Sequence, residues 1–130
     1  MDVSLKPRAR QSAELNAACP IRDVLDRVGD KWSALIVKSL TAGPMRFGVL
    51  RREIEDISQR MLTETLRNLQ RDGLISRTVY PTTPPSVEYA LTPLGVSLQG
   101  ALSVLAGWSA RHHDDIRQAR RAFDTRLMAE

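Results

Sequence analysis

The chain changes its hydrophobic period twice, and this restricts the folds open to it. From Cys19 to Asp72 apolar residues recur at helical spacing. From Leu74 to Leu91 the pattern turns to β-branched and alternating residues. From Leu94 the helical period returns. Helices, then a hairpin, then a helix, all within 130 residues, make one domain of mixed α+β class, mainly α.

Punctuation divides the first helical stretch into four. Cys19-Pro20 opens a helix, since proline at the first helical position gives up an N–H that has no partner there. Ile21, Val24, Leu25 and Val28 draw its apolar stripe, and Gly29 is expected to end it as the residue after the cap. Asp30 caps a second helix carrying Trp32, Leu35, Ile36 and Leu40, which Gly43-Pro44 stops. Met45-Arg46-Phe47 has room only for a bridge-length strand. A third helix then turns Phe47, Leu50 and Ile54 inward, with Arg51, Arg52, Glu53 and Glu55 outward. Ser58 caps a fourth helix whose inner face is Leu62, Leu66 and Leu69. Asp72-Gly73 closes it.

Residues 74–80 form a strand, and Val87 to Leu91 the returning one. The tip between them, Pro81-Thr82-Thr83-Pro84-Pro85, cannot join a ladder. Thr92-Pro93 caps a long helix that bears Leu94, Leu98, Ala101, Leu102, Leu105 and Trp108. This order is that of a winged helix-turn-helix with a two-stranded β wing and an added C-terminal helix. Three regions are expected: an arm, 1–18, with Ser12 capping a short helix through Ala17 and a mobile start; the winged domain, 19–108, with its dimerisation helix from about 93; and a charged helical extension, 109–130, that frays.

Composition narrows the chemistry. Lys and Arg total 19 against 15 Asp and Glu, a net charge of +4, and lysine occurs only at Lys6, Lys31 and Lys38. Arginine-rich basicity favours a nucleic-acid partner. The longest apolar run, residues 34–37, is far short of a membrane span. The first ten residues hold no apolar core of a secretory signal, so a cytoplasmic protein is expected. The single cysteine, Cys19, excludes an intrachain disulfide and a cysteine-based zinc site.

The fourth helix carries the main functional signal. Arg60, Thr63, Glu64, Arg67 and Arg71 lie opposite its buried leucines, with Gln59 and Gln70 at the shoulder. Glutamine matches the donor–acceptor edge of adenine and arginine that of guanine, so Gln59, Arg60, Thr63 and Arg67 are candidate base contacts. Ser58 at the helix start, Arg46, Arg51, Arg52 and Arg77 are candidate phosphate contacts. The wing tip is uncharged. Leu94, Leu98, Leu102, Leu105 and Trp108 make the C-terminal helix too apolar on one face to stand in water. That face either completes the core or pairs with a second copy, and a two-fold pair would set two recognition helices ~34 Å apart.

Cys19 has two readings. At a helix N-terminus beside Arg22 a thiolate is favoured, which makes it a candidate redox sensor. It is equally a small hydrophobe, as free cysteines commonly are. His112-His113-Asp114-Asp115 has ligand-type residues, but neighbours on a helix point about 100° apart and do not converge, so no metal site is expected. No phosphate loop, dinucleotide motif or nucleophile–base pair is present, so neither an enzyme nor a cofactor is expected.

Several stretches together resemble the HxlR-type bacterial transcription regulators, a branch close to the MarR-like winged-helix proteins. They are Cys19-Pro20, Val28-Gly29-Asp30-Lys31-Trp32, Gly43-Pro44-Met45-Arg46-Phe47, Ile57-Ser58-Gln59-Arg60-Met61-Leu62, the run from Leu66 to Gly73-Leu74-Ile75, Tyr80-Pro81, and Val87 through Thr92-Pro93-Leu94-Gly95. The resemblance covers about residues 19–108. Asp30 departs from it, standing where the family usually has a second glycine. The resemblance implies a homodimeric, DNA-binding repressor or activator that reads a pseudo-palindromic operator through the fourth helix. In some members the cysteine matching Cys19 senses oxidants or electrophiles through an intersubunit disulfide. Two alternatives remain: a regulator answering a small aromatic effector with Cys19 inert, and a winged-helix module that docks a protein instead of DNA.

Overall fold

The computed structural model describes residues 18–129. The Ser12 helix and the mobile first residues expected above lie outside that span. The elements are α1 (Pro20–Val28), α2 (Lys31–Leu40), β1 (Met45–Arg46), α3 (Phe47–Glu53), α4 (Gln59–Arg71), β2 (Ile75–Tyr80), β3 (Ser86–Leu91) and α5 (Pro93–Ala129). This is a winged helix-turn-helix with a small antiparallel sheet and a long C-terminal helix.

The helix starts follow their capping residues. The Asp30 carboxylate accepts from the Ser33 N–H at 2.8 Å, and the Ser58 hydroxyl accepts from the Met61 N–H at 3.0 Å. The Thr92 hydroxyl accepts from the Gly95 N–H at 3.1 Å and donates to the Gly73 carbonyl at 2.6 Å. Gly29 departs from expectation. It is the α1 cap itself, with φ −75°, not a left-handed residue beyond it. Asp30 is already extended and starts α2, so the chain reverses without a left-handed step.

Three strands form the sheet, in the order β1-β3-β2. The hairpin registers Ile75 with Leu91, Arg77 with Tyr89 and Val79 with Val87, while β1 adds Met45 opposite Tyr89 and Arg46 opposite Glu88. The wing is therefore backed by a third short strand that ties the helix-turn-helix to the hairpin.

The core is built from Ile36 and Leu40 of α2, Leu50 of α3, Leu62, Leu66 and Leu69 of α4, and Leu74 and Ile75 at the root of the wing. Val28, Ile54 and Ile57 complete it, with Trp32, Met45, Phe47, Tyr89, Leu91 and Leu98 packed around. Thr65 is buried among the leucines, and its hydroxyl donates to the Met61 carbonyl at 2.7 Å. An ion pair joins α1 to the end of α4, Arg27 to Asp72 at 2.6 Å.

Two faces stay uncovered. On α1 only Val28 is buried, while Ile21 is 69% and Leu25 57% exposed. On α5, Leu98 and Leu102 are half-buried, whereas Leu94, Leu105 and Trp108 are exposed. The helix is continuous from Pro93 to Ala129.

Candidate nucleic-acid interface

Helix α4 is fixed from behind. Leu62, Leu66 and Leu69 are at most 1% exposed, so its rotation about its own axis is set by the core. The opposite face then follows from 3.6 residues per turn. Arg60, Glu64, Arg67 and Arg71 are exposed there with Thr63 at the edge, while Gln59 is exposed at the shoulder of the helix, about 60° round from Leu62. Of the four candidate base contacts, the structure thus brings Arg60 and Arg67 onto one side of the helix, with Thr63 and Gln59 flanking them.

Their local bonds modify what each can do. The Thr63 hydroxyl donates to the Gln59 carbonyl at 2.9 Å, leaving its oxygen and methyl outward. The Arg60 Nε meets the Glu64 carboxylate at 3.5 Å, one turn along. That pair is largely in water and so is worth little, but it leans the guanidinium along the helix. Glu64 is thus the side-chain partner that Arg60 meets on the exposed face. The Ser58 oxygen is occupied by its cap, while its proton remains available to a phosphate oxygen.

The candidate phosphate contacts fall into separate groups. Arg51 and Arg52 are exposed in the last turn of α3, ahead of the tight turn at Asp56, where φ is +69°. Arg46 and Arg77 are also exposed but do not share a surface. Cross-strand partners point to the same face of a sheet, and neighbours along a strand to opposite ones. Arg77 registers with Tyr89 and Met45, two residues that pack on the core, whereas Arg46 registers with Glu88 and Thr78. The two arginines thus point to opposite faces of the sheet. Near the wing tip Tyr80 is raised from its ordinary pKa of 10.0, by a hydrogen bond with Glu88 and by that carboxylate's charge.

Cys19 caps α1 in extended conformation with no side-chain cap bond, and is half-buried. The His112 ring stacks on Trp108, with centroids 4.9 Å apart, and its Nδ1 lies 3.7 Å from Asp115. These contacts belong to one helix surface. No helix among the described residues is long and apolar enough to cross a membrane.

The chain as a whole matches known proteins. The HxlR-like helix-turn-helix family profile matches residues 27–117. The uncharacterized HTH-type transcriptional regulator YtfH of Escherichia coli is 41% identical over 106 residues, covering 82% of this chain and 84% of that one. The uncharacterized HTH-type transcriptional regulator YdeP of Bacillus subtilis is 40% identical over 109 residues, covering 82% and 85%. Among solved structures, the redox regulator HypR in its reduced form superposes with a TM-score of 0.72 at 36% identity, over 76% of this chain and 98% of that one. The chain belongs to the HxlR-like helix-turn-helix family of transcriptional regulators.

Proposed function

We propose that this regulator binds DNA sequence-specifically as a homodimer, reading base edges with α4. One observation carries the reading: the core-locked α4 presents Arg60 and Arg67 on its free face, with Thr63 at the edge and Gln59 at the shoulder. Gln59 and Arg60 stand in its first turn, the part of a recognition helix that enters the major groove first. Ser58, Arg51 and Arg52 hold phosphates around the helix start, and Arg77 holds one from the wing.

Dimerisation rests on the exposed apolar faces. Leu105 is 58% and Trp108 46% exposed, in line with Leu94 on the same helix. Leu98 and Leu102 contribute from beneath, since each already packs on its own protomer. The test is a mobility-shift series on genomic fragments selected by the protein. Arg60→Ala should cost about 1–3 kcal/mol per half-site and relax specificity at one base pair in each. Unchanged affinity for that variant overturns the assignment.

The likeness to a redox regulator supports Cys19 as the sensing group. Two Cys19 thiols, one per protomer, would give two electrons and two protons to a peroxide. The peroxide is reduced to water and an alcohol as the intersubunit S–S bond forms. That bond needs the two Cα atoms within about 7 Å. A second reading is favoured by a groove of about 360 Å³ between α2 and α5, lined by Leu35, Val37, Lys38, Leu102, Leu105 and Ala106. A small aromatic effector fits its apolar walls. Cys19→Ser separates the two: if oxidant still releases the operator from this variant, the thiol is not the sensor.

A further inference from the structure

The outward line of α4 carries more than hydrogen-bond donors. Arg60, Glu64, Arg67 and Arg71 lie within about 40° of the direction opposite Leu62, and all four are exposed. Glu64 is the one acidic residue of α4, and it stands between arginines on that line. The fold does not hold it for packing, since its side chain is 54% exposed. Its contact is with Arg60, whose side chain is 89% exposed. A pair so well hydrated adds little to stability. A carboxylate turned toward phosphates also weakens binding to every DNA sequence alike. Its place on a DNA-reading face therefore calls for a reason in recognition.

We infer that Glu64 is a base filter: it accepts a hydrogen bond from the amine of a cytosine one base pair from the guanine read by Arg60, and turns away bases that offer acceptors. This rests on the proposed reading of base edges by α4. In the major groove cytosine shows the N4 amine, a donor, and no acceptor. Guanine shows O6 and N7, and thymine O4, all acceptors. Adenine sets its N7 acceptor beside its N6 amine. An ionised carboxylate only accepts. Cytosine is thus the single base whose groove edge it meets without facing a lone pair.

The contact between the two side chains fixes where that cytosine lies. The Arg60 Nε approaches the Glu64 Oε1 at 3.5 Å. With Nε so occupied, the two terminal nitrogens of the guanidinium stay free to fork onto guanine O6 and N7. Residues four apart are about 6 Å apart along the helix axis, and base pairs stack ~3.4 Å apart. The contact draws the two tips together, from nearly two base-pair steps to one. A joined arginine and glutamate then match a guanine followed by a cytosine, donor on acceptor and acceptor on donor. At cytosine the hydrogen bond is offset by repulsion from the phosphates. At the other bases nothing offsets that repulsion, so Glu64 acts chiefly by exclusion.

The test uses the full chain and selection from a randomised double-stranded library, repeated for each variant. Wild type should select a cytosine one pair from the guanine whose selection Arg60→Ala abolishes. Thymine in its place in both half-sites should weaken wild type about 100-fold, at tenfold per half-site. Glu64→Ala should bind the two sites almost equally, by binding the thymine site more tightly, and should keep the guanine preference. Glu64→Gln should shift the choice toward adenine, whose edge a glutamine matches. N4-methylcytosine, which still pairs with guanine but lacks the groove-facing N–H, should weaken wild type and leave Glu64→Ala nearly unaffected. Selection of another base there by wild type, or the same cytosine preference in wild type and Glu64→Ala, overturns the filter and leaves α4 as the reading helix. A wild type that selects no base at all overturns both.

Discussion

Replacing Gly95 by alanine should unsettle the joint between the DNA-reading helix and α5. Gly95 is buried where α5 begins, against the chain leaving α4. A Cβ there would run into the Leu74 carbonyl oxygen, and would stand 3.1 Å from both the Leu74 carbonyl carbon and the Leu91 Cδ2. Backbone cannot swing aside as a long side chain can, so α5 must lift. Overpacking of this kind costs about 1–3 kcal/mol. Lifting also strains the Thr92 N–H bond to the Leu74 carbonyl at 3.1 Å and the Thr92 hydroxyl bond to the Gly73 carbonyl at 2.6 Å, each worth about 1 kcal/mol. Losing one of them brings the sum to roughly 2–4 kcal/mol. For a chain of this size that lowers Tm by about 8–15 °C. Thermal unfolding followed by circular dichroism measures it. Gly100→Ala is the control, because a Cβ there meets nothing within 4 Å, and alanine in a helix interior is favoured by about 0.5–1 kcal/mol. A Gly95→Ala protein as stable as wild type would refute the close packing of α5 on Leu74.

Other substitutions probe single parts of the argument. Arg77→Ala should weaken binding alike on all DNA sequences and flatten the plot of log affinity against log salt by about 1.8, since a homodimer loses two such contacts, and an unaltered slope would remove Arg77 from the phosphate set. Glu64→Gln frees Arg60 and removes a negative charge from the binding face, so affinity should rise at low salt; a fall would mean that Glu64 orients Arg60 productively. Asp30→Ala takes the cap from α2 and one of the two acceptors, the other being the Arg27 carbonyl, that share the single proton of the buried Ser33 hydroxyl. It should cost about 0.5–2 kcal/mol in denaturant unfolding, and no loss would deny the cap its role. Tyr80 holds its proton more tightly folded than unfolded, so its contribution to stability is present below pH 10 and lost as pH rises through the folded value. Glu88→Gln should bring the phenol's titration back toward 10.0 in alkaline difference spectra.

What the sequence made legible was what local chemistry decides. Asp30, Ser58 and Thr92 cap the helices they were expected to cap, because an N-cap depends on three or four adjacent residues. The hairpin could be placed because prolines exclude a ladder wherever they occur. The α4 face followed from Leu62, Leu66 and Leu69 by simple rotation. Properties that depend on a distant partner were hidden. The stripe of Ile21, Val24 and Leu25 has the period of a core helix, and periodicity cannot say whether the covering surface belongs to the same chain. The Arg27–Asp72 pair joins residues 45 apart in sequence at 2.6 Å, with no local signal for it. Arg46 and Arg77 looked alike until strand register put them on opposite faces.

The joint at Thr92 gives these pieces a common mechanical meaning. Gly73 ends α4, Leu74 leads into the wing, and both carbonyls are held by Thr92 at the foot of α5. The reading helix, the wing and the helix proposed to dimerise therefore meet within two residues of backbone. In the proposed dimer, a change in the angle between two α5 helices would pass to α4 without a flexible linker, because Gly95 leaves no gap to absorb it. Cys19 lies at the start of α1, and Val24 of that helix lines one groove with Leu94 of α5. A covalent bond between two Cys19 residues would act on that dimer contact and not on the bases. The expected effect of oxidation is thus a change in the spacing of two intact recognition helices. Oxidised protein should lose affinity for the paired operator while keeping affinity for an isolated half-site, and equal loss on both would place the switch inside the helix-turn-helix instead.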